Sequence, residues 1–138
     1  MTIKRFCTLF LLVGGVFFFS SCSNNQKRAK ESANSFLTLY FQTDYDSAAN
    51  FCTSELGSEL KESIKSITSL EKGVKEMIVQ QTSKMKTEIT SVEPAHTKDS
   101  LIVNYKVILP SFPNGIDSKM VLVKREKEWL VASFGQSN

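Results

Sequence analysis

The residues from which most catalytic and metal sites are built are scarce in this sequence. Its 138 residues include three cysteines and one histidine, His96. Three cysteines are too few for a disulfide-stapled miniprotein or for a four-cysteine zinc site. Glycine-rich phosphate loops, Gly-x-Ser-x-Gly and His-Glu-x-x-His are all missing from the sequence. We therefore expect no catalytic residue, no bound metal and no cofactor.

The sequence also has few turn-forming residues, only a small excess of positive charge and a single long apolar run. Six glycines and three prolines exclude a collagen-like or low-complexity chain. The balance of 17 basic and 14 acidic residues excludes a polyelectrolyte, and a single long apolar run excludes a polytopic membrane protein. The length and a hydrophobic fraction of 41% suit one globular domain.

The single long apolar run lies at the N-terminus. Lys4 and Arg5 precede the apolar stretch Phe6–Phe19, which ends in the small residues Ser20 and Ser21. A basic start, a short apolar core and small residues at its end are typical of a secretory signal peptide. The alternative is a transmembrane helix, which needs about 20 apolar residues. Cleavage would remove two of the basic residues and leave a nearly neutral protein, so we expect no nucleic-acid partner.

A cysteine follows the apolar run directly. The segment Phe19-Ser20-Ser21-Cys22 resembles the lipobox of bacterial lipoproteins, in which the cysteine receives diacylglycerol. We therefore divide the chain into a lipoprotein signal peptide (1–21), a lipidated Cys22 with a polar tether (22–26) and a domain over 27–135. The alternative is an ordinary signal peptide, with Cys22 a chance thiol. Because Ser23 is not the aspartate of an inner-membrane retention signal, we favour a periplasm-facing outer-membrane location.

The first half of the domain has helical periodicity. Apolar residues at spacings of three and four predict a helix from about Asn25 to Phe41. Asp46 is a plausible N-cap for a short second helix that turns Ala48, Ala49 and Cys52 inward. A third helical segment begins after Thr53 or Ser54, and one apolar face continues along it to Ile78. Gly73 either ends or bends that segment. Cys52 is expected to be a buried, inert thiol.

The second half has the two-residue period of strands. Four strands are predicted, over Lys86–Val92, Leu101–Leu109, Lys119–Lys124 and Trp129–Phe134. Pro110, Pro113 and Asn114-Gly115 indicate an exit loop after the second, and 125–128 a charged turn before the last. Helices followed by antiparallel strands favour an α+β fold of two layers, with two or three N-terminal helices on a bent four-stranded antiparallel sheet.

Two stretches carry a resemblance to a known superfamily. The first, 36–49, contains the end of the predicted first helix, an acidic turn and an alanine pair. The second, 120–131, contains a predicted strand, a charged turn and a tryptophan at the start of the last predicted strand. Over residues 27–135 the chain resembles the nuclear transport factor 2-like (cystatin-like) superfamily, in particular small bacterial lipoproteins whose domain has no assigned function. The resemblance implies a cone, in which a bent sheet encloses the helices, and a homodimer that pairs through the sheet.

Few side chains suit chemistry inside such a cone. Tyr40, Tyr105 and Trp129 are the candidates for lining a pocket, because each joins an apolar body to a hydrogen-bonding tip. The alternative is that all three simply pack in the core. His96 lies in a predicted exposed loop, with no other metal-ligating residue at a suitable spacing.

These observations predict a location more firmly than an activity. We expect a lipid-anchored cell-envelope domain that is not an enzyme and that binds a small apolar ligand or a partner protein. Two alternatives stay open. One is a small isomerase or dehydratase, as the superfamily includes, and the other is a structural accessory subunit of an envelope complex.

Overall fold

Helices occupy the first half of the chain and strands the second. The computed structural model describes residues 20–136, with side chains over 24–135. The predicted signal peptide lies outside the described residues except for Ser20 and Ser21, and the Cys22 side chain lies outside them too. The elements in chain order are α1 Ser20–Phe41, α2 Tyr45–Ala49, α3 Ser54–Thr68, α4 Lys72–Thr82, β1 Lys86–Pro94, β2 Ser100–Leu109, β3 Phe112–Arg125 and β4 Glu128–Gln136.

The four strands form an open antiparallel sheet in the order β1-β2-β3-β4. Each strand pairs with the next along the chain, with Tyr105 of β2 opposite Ile89 of β1 and Ser118 of β3. The predicted α+β class and four-stranded antiparallel sheet are confirmed. The helix number is different, because the described residues contain four helices rather than two or three.

Helix α1 packs across the sheet, against β4, β1 and β2. Its buried residues are Ala29, Ala33, Phe36 and Leu37, the apolar face that the sequence predicts. They meet a row of fully buried side chains from three strands, Val103, Met120, Leu122 and Val131. The helix begins at Ser20, earlier than predicted, so the residues of the predicted tether form its first turns.

A short parallel contact ties the helical half to the last strand. The Thr53 amide donates to the Val131 carbonyl at 2.9 Å, and the Val131 amide donates to the Phe51 carbonyl at 2.8 Å. Cys52, between them, forms an isolated parallel bridge with Val131. Thr53 also caps α3, its hydroxyl accepting from the Leu56 amide at 3.5 Å. This segment therefore covers part of the β4 edge and starts α3 there.

The cap of α2 differs from the prediction. Asp44, not Asp46, is the N-cap, and its carboxylate accepts a hydrogen bond from the Ser47 amide at 3.2 Å. Asp46 lies in the first turn, where a carboxylate is favourable beside the positive end of the helix. The two aspartates are thus explained by helix capping and the helix dipole.

The predicted third helical segment is broken in two. α3 ends at Thr68 and α4 begins at Lys72, so Gly73 lies in the first turn of α4 and neither ends nor bends α3. The hydroxyls of Thr68 and Ser69 donate to the carbonyls of Lys65 and Ser66. Such bonds compete with the backbone ladder and favour a helix end. The helix is therefore interrupted between Thr68 and Lys72, and beyond the break Val74 and Met77 are exposed, so the buried apolar face does not continue.

The predicted loop after β2 is also mostly strand. The turn is confined to Pro110 and Ser111, because β3 begins at Phe112. Between the pairs Leu109–Phe112 and Val107–Ile116 the register shifts, and the two extra residues of β3 form a bulge. Gly115 has φ +77° there, and a Cβ on it would lie 2.3 Å from Lys106 Cγ. Asn114-Gly115 therefore marks a bulge within a strand rather than a loop.

Candidate functional site

The first cleft lies between α1, α3 and the end of β4. We call it the tyrosine cleft, and its volume is about 180 Å³. Its lining combines aromatic and aliphatic residues with one carboxylate and one serine: Tyr40, Tyr45, Leu56, Glu59, Leu60, Ser63, Ile67 and Phe134. The cleft is apolar except for the Glu59–Ser63 side and the two tyrosine hydroxyls.

A cluster of aromatic rings packs along one side of the tyrosine cleft. The Phe134 ring centroid lies 4.9 Å from that of Tyr40 and 5.0 Å from that of Phe36, both in edge-to-face contact. Tyr45 approaches Tyr40 at 5.3 Å, also edge to face. Burial, with smaller contributions from the Tyr45 and Tyr105 phenols, raises the pKa of Tyr40. The phenol is therefore protonated at neutral pH and can both donate and accept hydrogen bonds.

Two further clefts flank the start of α1. The α1–β4 cleft, of about 320 Å³, is lined by Arg28, Glu31, Ser32, Ser35, Asn50, Phe51, Glu128, Trp129 and Leu130. The loop cleft, of about 520 Å³, lies between α1 and the β1–β2 loop and is lined by Asn25, Gln26, residues 94–101, Lys124 and Trp129. Trp129 is common to both.

Trp129 opens β4 and is 4% exposed. Its indole Nε1 is buried and has no hydrogen-bond partner among the described residues. Buried indole N–H groups usually find an acceptor, so this one is an exception. The Trp129 side chain lies between the α1–β4 cleft and the loop cleft and lines both.

The three predicted pocket-lining residues are therefore not brought together. Tyr40 lines the tyrosine cleft and Trp129 the other two, whereas Tyr105 lies in the core at 3% exposure and lines none of these three clefts. His96 lies in the exposed β1–β2 loop, as the sequence predicts, and contributes to the loop cleft. That contribution depends on how α1 crosses the loop, which no local sequence pattern encodes.

The interior offers little to acid–base or metal chemistry. Among the described residues, the buried side chains that carry a hydroxyl or an N–H group are Thr53, Ser100, Tyr105 and Trp129, and none of them is charged. Residues 20–136 bring together no group of three or more histidine, cysteine or acidic side chains that could hold a metal ion. These buried groups can pack and form hydrogen bonds. No charged side chain of residues 24–135 is buried in the core.

Helix α4 carries an apolar surface that the sequence does not predict. We call the exposed apolar side chains beside and along it the α4 surface: Leu70, Val74, Met77 and Val79. Met77 is 60% exposed, and α4 has no buried residue. Periodicity alone assigns Leu70, Val74 and Met77, together with Ile78, to a buried face. Only the break after Thr68 shows that they are turned away from the core.

Cys52 is buried, and burial raises the pKa of its thiol to about 11. Its Sγ lies 3.5 Å from the Ala48 carbonyl, to which the S–H donates. Because the thiolate is the reactive form, we expect Cys52 to react roughly a hundredfold more slowly than a thiol of ordinary pKa at the same pH. Because the folded pKa exceeds the unfolded one, the Cys52 contribution to stability is full below pH 9 and is lost as the pH rises toward 11.

Labelling with a disulfide reagent at pH 8, with and without urea, measures this difference, and Cys52→Ser identifies the signal. Fast labelling of the folded protein at Cys52 would contradict the buried, inert assignment.

No helix of the described part is both long enough and apolar enough to cross a membrane. Comparison with protein-family models, with curated proteins and with solved structures finds no match to this chain. Functional conclusions therefore depend on the sequence motifs and on the geometry above.

Proposed function

We propose that this protein is a lipid-anchored module of the bacterial cell envelope that binds a partner protein through the α4 surface and carries out no catalysis. The observation that supports partner binding is the exposure of Val74 and Met77, which lie three residues apart on one side of a helix without buried residues. Neighbouring exposed apolar side chains are typical of protein interaction sites. An amphipathic helix of this kind suits a groove on a partner.

The anchor is supported by the Phe19-Ser20-Ser21-Cys22 segment, which follows the apolar run directly. Two or three acyl chains on Cys22 would hold the protein on a membrane persistently, because one chain alone binds only marginally. Lys27 and Arg28 are exposed close to that end of α1, where they suit anionic headgroups. The location we propose is the outer membrane, facing the periplasm.

The cone of the nuclear transport factor 2-like superfamily is supported by features that bend a sheet. Register shifts occur in all three strand pairs, near Ser91, between Phe112 and Ile116, and around Val121. Bulges bend strands and increase their twist, as the proposed cone requires. Pairing of two copies through the outer sheet face belongs to the same proposal. That face carries the Lys106–Asp117 ion pair and a hydrogen bond from Asn104 to Ser91.

The absence of catalysis is supported by what fills the space between α1 and the sheet. Phe36, Tyr105 and Met120 are buried there. Isomerases and dehydratases of the resembling superfamily place a carboxylate or histidine inside an apolar cone. In this chain the described carboxylates and His96 are not buried.

Binding of a small apolar ligand is the second candidate, favoured by the aromatic lining of the tyrosine cleft. The Tyr40 and Tyr45 hydroxyls could orient such a ligand. Pockets for drug-sized ligands measure about 300–1,000 Å³. At about 180 Å³ the tyrosine cleft would admit only a smaller molecule.

A photocrosslinking experiment tests the α4 surface. A photoreactive amino acid at Met77 should give a discrete protein adduct in cells, and the second change Val74→Glu should abolish it by placing a charge in the apolar contact. The unfolding free energy should change by less than about 0.5 kcal/mol, because both sites are exposed.

The matched control places the photoreactive residue at Lys61, which is exposed on α3. Adducts of equal yield at Met77 and Lys61, or an adduct at Met77 that survives Val74→Glu, would contradict the proposed surface.

A further inference from the structure

The Trp129 N–H has no partner among the described residues, which suits an acceptor supplied by a bound ligand. Leaving a buried donor unpaired costs more than the net gain of an ordinary hydrogen bond, so proteins rarely do so. The indole is 4% exposed and lies where two clefts meet. A ligand oxygen in one of these clefts would complete the site.

Charge distinguishes the two clefts. The α1–β4 cleft has one cation, Arg28, against the carboxylates of Glu31 and Glu128. The loop cleft has Lys98 and Lys124 against a single carboxylate, Asp99. An anion is therefore repelled by the first cleft and attracted by the second.

The geometry of the loop cleft also holds one of its two lysines, Lys124, in place. The Lys124 amide donates to the Asp99 carbonyl at 2.7 Å, which joins β3 to the β1–β2 loop. The Lys124 Nζ donates to Asn25 Oδ1 at 3.5 Å, so this ammonium group reaches across the cleft to α1. Lys98 is exposed on the loop and free to follow a ligand.

We propose that the loop cleft binds a phosphate-bearing group, held by Lys98 and Lys124, whose oxygen accepts a hydrogen bond from Trp129 Nε1. Lysine is a common phosphate ligand, acting as a point charge. Because Nε1 is closed to solvent, binding requires the cleft walls to shift around the indole. Asn25 lies three residues after Cys22, so the phosphate could come from a lipid headgroup or from a soluble phosphate ester. This site is separate from the α4 surface and does not depend on it.

Fluorescence tests the proposal directly, because Trp129 is the only tryptophan in the chain. The full chain in nonionic detergent is titrated with sn-glycerol 3-phosphate, with dihexanoyl phosphatidic acid and with glycerol. Both phosphate compounds should shift the Trp129 emission in a saturable manner, and glycerol should not. Phosphatidic acid binding at least tenfold tighter identifies a lipid headgroup as the source, and similar affinities identify a soluble phosphate ester.

Charge-removing variants locate the site. The double variant Lys98→Gln/Lys124→Gln should weaken binding by about tenfold or more, because both charged contacts are lost. Lys61→Gln, which makes the same change on α3, should leave the affinity unchanged. Trp129→Phe keeps an aromatic ring but removes the N–H, and calorimetry should show weaker binding.

The proposal is overturned if neither phosphate compound affects Trp129 emission, if glycerol has the same effect, or if the lysine double variant binds as tightly as Lys61→Gln.

Discussion

Replacing Cys22 by alanine is expected to abolish fatty-acid labelling of the protein and to leave it as a soluble product or an uncleaved precursor. The reason is that the thiol is the proposed attachment point for every acyl chain. Each buried CH₂ contributes about 0.8 kcal/mol, so removing two or three chains removes essentially all of the anchoring free energy. Metabolic labelling with an alkyne fatty acid, followed by membrane fractionation, measures both effects.

The matched control is Cys52→Ala, because Cys52 is the other cysteine of the proposed mature protein and is buried. This variant should keep the full acyl label and stay in the membrane fraction. A Cys22→Ala protein that still carries label would contradict lipidation at Cys22. One that stays on the membrane after processing would contradict the lipid as the anchor.

Truncating Phe36 is expected to have the largest effect on stability. Phe36 is fully buried and contacts the rings of Tyr40 and Phe134. Phe→Ala changes in cores cost about 3–5 kcal/mol, and domains are stable by only about 5–15 kcal/mol. Urea unfolding followed by Trp129 fluorescence should therefore show a much lower midpoint for Phe36→Ala.

The chain offers a matched control of the same chemistry at an exposed site. Phe112 is 57% exposed at the start of β3, so Phe112→Ala should change the unfolding free energy by less than about 0.5 kcal/mol. Phe36→Leu should fall between the two, because it keeps most of the apolar volume. Equal costs for Phe36→Ala and Phe112→Ala would contradict the assignment of Phe36 to the core.

Much of the fold could be predicted because its elements have clear periodicity. The face Ala29, Ala33, Phe36 and Leu37 repeats at helical spacing, and all four residues are buried. In β2, a central strand, every second residue from Leu101 to Val107 is apolar and faces α1. This two-residue repeat is the pattern of a strand with one face packed against a helix. In such elements local pattern and tertiary packing agree.

The α4 surface could not be predicted because its local pattern gives the opposite answer. Val74 and Met77 continue the spacing of Leu56 and Leu60, yet the hydroxyl bonds of Thr68 and Ser69 accompany a break before them. A helix end set by two such bonds has only a weak sequence signal.

The candidate clefts were equally hard to predict, since they depend on tertiary placement. Tyr105 and Trp129 have similar chemistry in the sequence. Only the register and the crossing of α1 place Tyr105 in the core and Trp129 against two clefts.

The contact between Cys52 and Val131 has a consequence for the order of assembly. These residues are more than half the chain apart, and the segment around Cys52 obtains its strand-like hydrogen bonds only from β4. During synthesis or export the helices emerge before the strands, and β4 is the last of the described elements to emerge. The helical half therefore cannot complete its native contacts until β4 has emerged. Such dependence on distant pairing slows folding and prolongs exposure of apolar surface. A nascent chain stalled before β4 should consequently be a substrate for chaperones and proteases, although all four described helices have already been made.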